Sequence, residues 1–249
     1  MVHVEAFFSP ADFAHHNLEP QRIAEAIRTG LSRVDGISVS LVADLVRDFG
    51  AESGMRTLEQ IAEVLDTGII GIGLGGSEHV APPEPFAPVF ARSRQLGLHT
   101  TAHAGEAAGP ASVWGVLEAL EVERIGHGIR AVEDPALVAH LAQSRVPLEV
   151  CPVSNLRTGV VRDPRRHPVR ELVDQGVPVT IASDDPEMFE TSLANEHLLL
   201  RRELGFSRDA VRQLILAGID ASWASNETQE ELRRRLTADP AWYEECPTP

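Results

Sequence analysis

The chain has 249 residues and a net charge of −15, from 22 Lys and Arg against 37 Asp and Glu. That length suits one α/β barrel, and a hydrophobic fraction of 43% is ordinary for a globular protein. The negative charge opposes binding to the phosphates of a nucleic-acid polymer, although a neutral nucleobase or nucleoside can still enter a pocket. No apolar run reaches the roughly 20 residues of a membrane span, so we expect no membrane partner.

Cysteine content and the first residues bear on the compartment. The two cysteines, Cys151 and Cys246, are too few for a disulfide framework. The segment Met1–Glu5 shows no basic region followed by an apolar stretch, which is the pattern of a secretory signal. We therefore expect a cytoplasmic protein.

Short β-rich apolar runs alternate with segments of helical spacing along the chain. Ile23, Ile27 and Leu31 show that helical spacing after the first run. The second run is expected to end at a turn before Asp44, and the chain from Glu190 to about Leu236 is expected to contain helices only. The predicted strands are Val2–Phe8, Ile37–Val42, Ile69–Leu74, Leu98–Ala102, a short segment at Arg124–Ile125, Leu148–Cys151 and Val177–Ala182.

Strands that alternate with helices every 25–35 residues or so predict a parallel sheet built from βα units. A closed barrel of this class has eight strands, whereas the pattern here gives about seven. Because helices continue after the last strand, the absent strand is expected at the N-terminus. The sequence thus predicts an α/β fold, a (β/α)₈ TIM-type barrel missing its first strand with extra C-terminal helices, as a single domain over residues 1–249.

Four polar clusters each follow an apolar run, so the βα topology brings all of them to one face of the barrel. Histidine and aspartate at strand ends can ligate a divalent metal, and a nearby glutamate can transfer protons. Each cluster also has a structural explanation by itself, such as a buried histidine, a glycine turn or a helix cap before Pro186. Four independent placements on one face favour a functional site. The clusters are Thr101–Glu106, Gly126–Gly128, Cys151–Asn155 and Ser183–Pro186.

In order and spacing these clusters resemble the adenosine deaminase family. The matching segments are His103-Ala104-Gly105-Glu106, Arg124-Ile125-Gly126-His127-Gly128, Cys151-Pro152-x-Ser154-Asn155 and Ser183-Asp184-Asp185-Pro186. Leu74–Glu78 looks like the family's purine-contacting glycine loop, and Val4–Pro10 looks like its second barrel strand.

The resemblance implies a zinc-dependent barrel that replaces the exocyclic amine of a purine by oxygen and releases ammonia. It implies that His103 and Asp184 are zinc ligands and that Glu106 protonates the ring nitrogen beside the attacked carbon. His127 would orient the attacking water and help to deprotonate it. Two further residues would bind the substrate: Asp185 at the imidazole edge of the purine, and Gly76 through its N–H.

One feature of the family pattern is absent from this sequence. The family's first strand carries a His-x-His pair that supplies two more zinc ligands, and no such pair occurs here. His3 lies in the segment that resembles the second strand, and the adjacent His15 and His16 cannot share one face of a strand. We therefore expect either a truncated protein or a degenerate barrel that binds purine without competent zinc; another metal-dependent hydrolase of the superfamily is a further alternative.

The substrate that the resemblance favours is adenosine. Relatives act on adenosine, adenine, an aminofutalosine nucleoside or N6-substituted nucleotides. Gly126 resembles the nucleoside-acting members, because enzymes for free adenine tend to carry an acidic residue at this position. Zinc and a small purine nucleoside are accordingly the predicted cofactor and ligand, and the oligomeric state is left open.

Overall fold

A parallel sheet of seven strands forms the centre of the protein, in a computed structural model that describes residues 2–243. The strands lie side by side in chain order, and each neighbouring pair is parallel. They are β1 (His3–Phe8), β2 (Ser38–Val46), β3 (Ile69–Gly75), β4 (His99–Ala104), β5 (Arg124–His127), β6 (Leu148–Val150) and β7 (Val179–Ile181). This arrangement agrees with the predicted βα units.

Helices cover the sheet because their apolar stripes face it. In α2, for example, Leu58 and Ile61 are fully buried and belong to the same core as Leu41 and Ile72 of the sheet. The helices are α1 (Pro20–Leu31), α2 (Gly50–Ala62), α3 (Ala87–Gln95), α4 (Pro110–Gly115), α5 (Pro135–Ser144), α6 (Pro152–Arg157), α7 (Val169–Asp174), α8 (Pro186–Phe189), α9 (Leu193–Arg202), α10 (Arg208–Asp220) and α11 (Asn226–Ala238).

The element predictions agree with the structure in type and order, and the largest difference in bounds is at the carboxyl end of β2. The Asp134 side chain caps α5 by accepting the Ala136 N–H at 2.9 Å, and the chain after Glu190 forms helices as predicted. The expected end of β2 before Asp44 is wrong, because β2 continues to Val46 in register with β3. The continued pairing places Asp44 inside the sheet, where it is buried.

Contacts across the concave side show that the sheet is curled. Arg124 of β5 donates from Nη1 to Glu5 Oε2 of β1 at 2.6 Å, and its Nε lies 3.2 Å from Glu149 Oε1 of β6. The rings of Phe7 and His103 lie edge to face at 6.3 Å. Strands four places apart in a flat sheet cannot touch in this way. The curled sheet is therefore the predicted TIM-type barrel architecture with seven strands. Within residues 2–243, β1 and β7 do not pair with each other.

The chain after β7 closes the amino end of the barrel. Trp223, between α10 and α11, has its ring centroid 3.4 Å from the Arg124 guanidinium carbon, and its backbone N–H donates to Glu5 Oε1 at 2.6 Å. The ring also stacks on His99 at 4.9 Å. These contacts fill the strand starts and leave the opposite end of the barrel for a site. No helix in the described part of the chain is long and apolar enough to cross a bilayer.

Glu5→Gln tests the importance of the ion pair with Arg124. Removing one charge from a buried pair leaves the other uncompensated, so we expect the free energy of unfolding to fall by about 3 kcal/mol, with Glu149 limiting the loss. Urea denaturation of the chain measures this. As a control, Glu25→Gln breaks the exposed Arg22–Glu25 pair (3.7 Å) and should cost no more than about 1 kcal/mol. Equal small losses in both variants would show that the interior pair contributes little.

Candidate active site

The predicted site residues meet at the carboxyl ends of the strands. His103 lies near the end of β4, His127 ends β5 and Asp184 follows β7. The His103 and His127 ring centroids are 5.1 Å apart. His127 Nε2 lies 3.6 Å from Glu106 Oε2 and 3.8 Å from Asp184 Oδ2. The curled sheet thus brings Glu106, His127 and Asp184 together, with the His103 ring beside that of His127.

Two of these residues have a backbone conformation that is uncommon outside glycine. His127 has φ 60° and Asp184 has φ 55°, both in the left-handed region. This conformation carries a cost of about 1–3 kcal/mol and persists only where surrounding contacts fix it. At each residue it turns the backbone away from the strand direction, so that the side chains of His127 and Asp184 approach each other. A continued strand would not bring them together.

The loop that carries Glu106 is fixed by the buried carboxylate of Glu78. Four successive backbone N–H groups, those of residues 105–108, donate to the two Glu78 oxygens at 2.8–3.3 Å. Gly105 has φ 71°, and a Cβ there would collide with Val113. A carboxylate that accepts several backbone N–H groups holds a loop rigidly. Glu78 therefore positions Glu106, although the sequence indicated only its place in the glycine loop.

Arg47 also fixes the backbone around the site, and no pattern in the sequence indicated this residue. Its side chain is 1% exposed and donates to the carbonyls of His103 (2.7 Å), Gly75 (3.2 Å) and Ala81 (3.1 Å). Burial lowers the pKa of Arg47, and the carboxylate of Glu78 opposes that shift. Arg47 thus ties β4 to the glycine loop.

The buried carboxamide of Asn155 in α6 lies between the two predicted proton-transfer residues. Its Nδ2 is 3.1 Å from Glu106 Oε1 and 3.1 Å from His127 Nδ1. Its Oδ1 is 3.2 Å from Nε2 of buried His167. Asn155 was part of the predicted cluster without an assigned role; His167 was not predicted at all.

Burial sets the proton affinities of the central groups. It raises the pKa of Glu106, and the nearby carboxylates Asp184 and Glu78 raise it further, against an opposing effect of His103. Burial also lowers the pKa of His127. Both shifts favour the forms that suit transfer of a proton to a substrate, which are a protonated Glu106 and a neutral His127.

Asp44 is a further buried carboxylate at this end of the sheet. Its oxygens occupy the space beside Gly73 and Gly75 of β3, where a Cβ would collide with them. Burial raises the pKa of Asp44 to about 6, while His103 and Arg47 oppose the shift, and Oδ1 has no hydrogen-bond partner among residues 2–243. The missed signal was the pair of glycines on the neighbouring strand, which leave room for a side chain from β2.

The two predicted substrate-binding residues lie at the rim. Gly76 has φ 92°, and a Cβ there would strike Asp48, whose carboxylate accepts the Ser77 N–H at 2.8 Å. Asp185 is the N-cap residue of α8 and Pro186 lies in the first turn, as the helix-cap interpretation predicts, but the Asp185 side chain makes no capping hydrogen bond. Burial and the neighbouring Asp184 raise the pKa of Asp185. Contact of either residue with a purine stays a prediction.

Potential metal donors cluster at the same point. Donor atoms of His127, Cys151 and Asp184 all lie within 4.8 Å of one another. Of the two predicted zinc ligands, this set contains Asp184 and does not contain His103. Cys151 is a free, buried cysteine, and burial raises the pKa of its thiol well above the ordinary range. Cys246 lies outside the described residues.

Comparison with known proteins identifies the family. The sequence profile described as adenosine deaminase matches residues 1–239. The chain belongs to the adenosine deaminase family. It is 45% identical over 183 residues to an aminodeoxyfutalosine deaminase of Streptomyces coelicolor, a match that covers 71% of this chain and 47% of that protein. The chain thus spans about half the length of that relative.

Solved structures of the family have the same fold. The crystal structure of adenine deaminase from Arthrobacter aurescens superposes with a TM-score of 0.90 at 31% identity, covering 95% of this chain and 73% of that one. An amidohydrolase from Burkholderia ambifaria, solved with bound zinc, gives a TM-score of 0.86 at 27% identity over 93% of this chain and 66% of that one. These relatives confirm the predicted family and barrel class.

Asp44→Asn tests the buried carboxylate of β2. Because the folded pKa is about 6, against an ordinary 3.8, the folded chain holds this proton more tightly than the unfolded chain. The stabilising contribution is thus complete below pH 4 and lost as pH rises through 6, by about 3 kcal/mol in total. We expect Asp44→Asn to remove this fall, measured as urea unfolding free energies from pH 4 to 8 with chelator present.

The control for this experiment is Asp35→Asn, which makes the same change in an exposed loop. It should keep the pH dependence of the unmodified chain. A pH dependence in Asp44→Asn that matches the unmodified chain would contradict the assigned pKa.

Proposed function

We propose that the chain catalyses hydrolytic deamination of a purine nucleoside, most simply adenosine to inosine and ammonia. The observation that carries this proposal is the convergence of Glu106 and Asp184 on His127 Nε2, at 3.6 and 3.8 Å, at the carboxyl ends of the strands. A proton donor, an imidazole and a carboxylate that can bind a metal, all within 4 Å of one nitrogen, are the groups that this reaction requires. The names of the relatives support a purine as substrate.

The donor set fits zinc in kind, but His103 and Asp184 are two ligands where a catalytic zinc site has three, in line with the absent His-x-His pair. Imidazole nitrogen and carboxylate oxygen are zinc ligands, and His103 and Asp184 would hold the ion, with His127 and Cys151 beside it. Zinc, when bound, supplies Lewis acidity that lowers the pKa of a water molecule toward neutrality. The zinc-containing structural relative supports this choice of metal.

The role proposed for Glu106 follows from its surroundings. Its carboxyl is held by Asn155, and its loop by Glu78, while burial favours the protonated form. A protonated Glu106 can donate to the ring nitrogen next to the amine-bearing carbon. That transfer draws electrons from the carbon and prepares it for attack by water.

The choice of a nucleoside over a free base depends on Gly126. This residue pairs with His103 across β4 and β5, and a Cβ at position 126 would lie 3.3 Å from the His103 ring. The free-adenine enzymes tend to carry an acidic residue at this position, whereas Gly126 places no side chain beside His103. Adenine is the second candidate, because an adenine deaminase is among the structural relatives. Values of kcat/KM for adenosine, adenine and aminodeoxyfutalosine decide between them; binding of purine without turnover of any of the three would contradict the catalytic proposal.

Glu106→Gln tests the proton donor. The amide keeps the shape of the side chain but cannot protonate the ring, so we expect kcat to fall by about 10²–10⁴-fold with purine and zinc binding retained. Deamination is followed by absorbance with zinc present. Glu118→Gln, the same change at an exposed position, serves as the control and should keep kcat. A near-normal kcat in Glu106→Gln removes this role.

The adjacent aspartates are separated by different measurements. Asp184→Ala should weaken zinc binding more than about 10-fold, since it removes a ligand, whereas Asp185→Ala should spare zinc and weaken purine binding. Zinc affinity is measured by competition with a chromophoric chelator, and purine binding by calorimetry. The assignment is wrong if both variants lose zinc equally, or if neither does.

A further inference from the structure

A chain of hydrogen bonds begins at buried His167, between β6 and β7 and outside the clusters that the sequence indicated. The backbone N–H of Val169 lies 3.1 Å from His167 Nδ1. A backbone amide can only donate, so Nδ1 accepts and carries no hydrogen. Burial lowers the pKa of His167 to about 4, and nearby His127 contributes to that shift, so the ring is neutral at physiological pH. The single ring hydrogen of His167 therefore lies on Nε2.

That hydrogen fixes the orientation of Asn155. His167 Nε2 is 3.2 Å from Asn155 Oδ1, and donation along this line requires the carbonyl oxygen, not the amide nitrogen, at that position. The orientation of an amide is decided by its hydrogen-bond network. Here the network begins at the main-chain N–H of Val169, which can act only as a donor. Asn155 Nδ2 must then point toward the active site.

The two hydrogens of Asn155 Nδ2 reach Glu106 Oε1 and His127 Nδ1, each at 3.1 Å. The carboxylate oxygen accepts one of them. The other can be accepted by His127 only if Nδ1 of its ring carries no hydrogen. Neutral His127 therefore has its hydrogen on Nε2, and this nitrogen faces Glu106 and Asp184.

We propose that Asn155 and His167 are positioning residues that lock His127 in the Nε2–H tautomer, so that His127 acts as a hydrogen-bond donor to the reacting groups. This inference rests on the proposed deamination and refines it. With Nε2 already protonated and Nδ1 occupied by a donor, the ring has no free nitrogen to accept a proton from water. The proton must pass to a carboxylate at the site, which differs from the role that the family resemblance implied for His127.

Long-range ¹H–¹⁵N NMR of the histidine-labelled chain tests the tautomers directly. Both His127 and His167 should show a protonated Nε2 and an unprotonated Nδ1, with resonances assigned through His127→Gln and His167→Gln. This measurement on the unmodified chain needs no variant to report the result. A protonated Nδ1 on His127 would overturn the inference.

Asn155→Asp tests the positioning role with little change of shape. A carboxylate cannot donate, so we expect the His127 hydrogen to move to Nδ1 and kcat to fall about 10–100-fold, with KM changed less. Asn195→Asp makes the same chemical change on an exposed face of α9 and should leave both unchanged. An Asn155→Asp variant that folds and keeps the Nε2–H tautomer would contradict the lock.

Failure of this inference and failure of the proposed function are distinguishable. The tautomer is read without turnover, whereas deamination is read from the unmodified chain with adenosine. If the His127 hydrogen lies on Nε2 but the chain deaminates no purine, the tautomer inference is supported and the proposed deamination is overturned. Purine turnover by a chain whose His127 hydrogen lies on Nδ1 would support the proposed deamination and overturn the tautomer inference.

Discussion

Curvature of the parallel sheet is the constraint on which the site depends. The strongest link across the concave side is the pair of Arg124 on β5 and Glu5 on β1, which are 119 residues apart in sequence. Two charges placed in a barrel interior are tolerated only when they satisfy each other. Their pairing, together with Trp223 over the guanidinium, brings distant strands into contact. The same curvature places the carboxyl ends of β4, β5 and β7 within reach of one another.

The site end of the barrel is held by buried charges of opposite sign on neighbouring loops. Glu78 accepts four backbone N–H groups, and Arg47 donates to three backbone carbonyls. Each group therefore uses its charge to order main chain. Side chains held by such a framework need little reorganisation when substrate binds, which favours electrostatic catalysis. Burial at this end of the barrel, and then the nearby carboxylates of Asp184 and Glu78, raise the pKa of Glu106.

Small residues in the strands make room for these side chains. Gly126 lies in contact with the His103 ring, and Gly73 with Gly75 accommodates the carboxylate of Asp44. A side chain at Gly73 or Gly75 would overlap the Asp44 carboxylate, and one at Gly126 would press on the His103 ring. Glycine in a strand interior usually weakens the strand, so its presence here marks close approach of another group. The cost in sheet stability is offset by the placement of polar side chains next to the backbone.

Several features of the fold and the site follow from the sequence alone. The alternation of strands and helices determines a parallel sheet, and a parallel sheet determines that segments after its strands share one face. For this reason the proximity of Glu106, His127 and Asp184 could be predicted from local patterns. The family, too, is fixed by the spacing of these clusters.

Other features depend on the tertiary structure. The end of β2 was expected at a turn before Asp44 because propensity could not show that β3 continues to pair with β2. Arg47, Glu78 and His167 act on partners 12 to 56 residues away, at places where side chains from separate loops cross. The donor or acceptor state of His127 is decided by the direction of hydrogen bonds that start at Val169, 42 residues later in the chain. Sequence determines which chemical groups are present, whereas only the packed structure decides which hydrogen each group holds, because that depends on the partner brought against it.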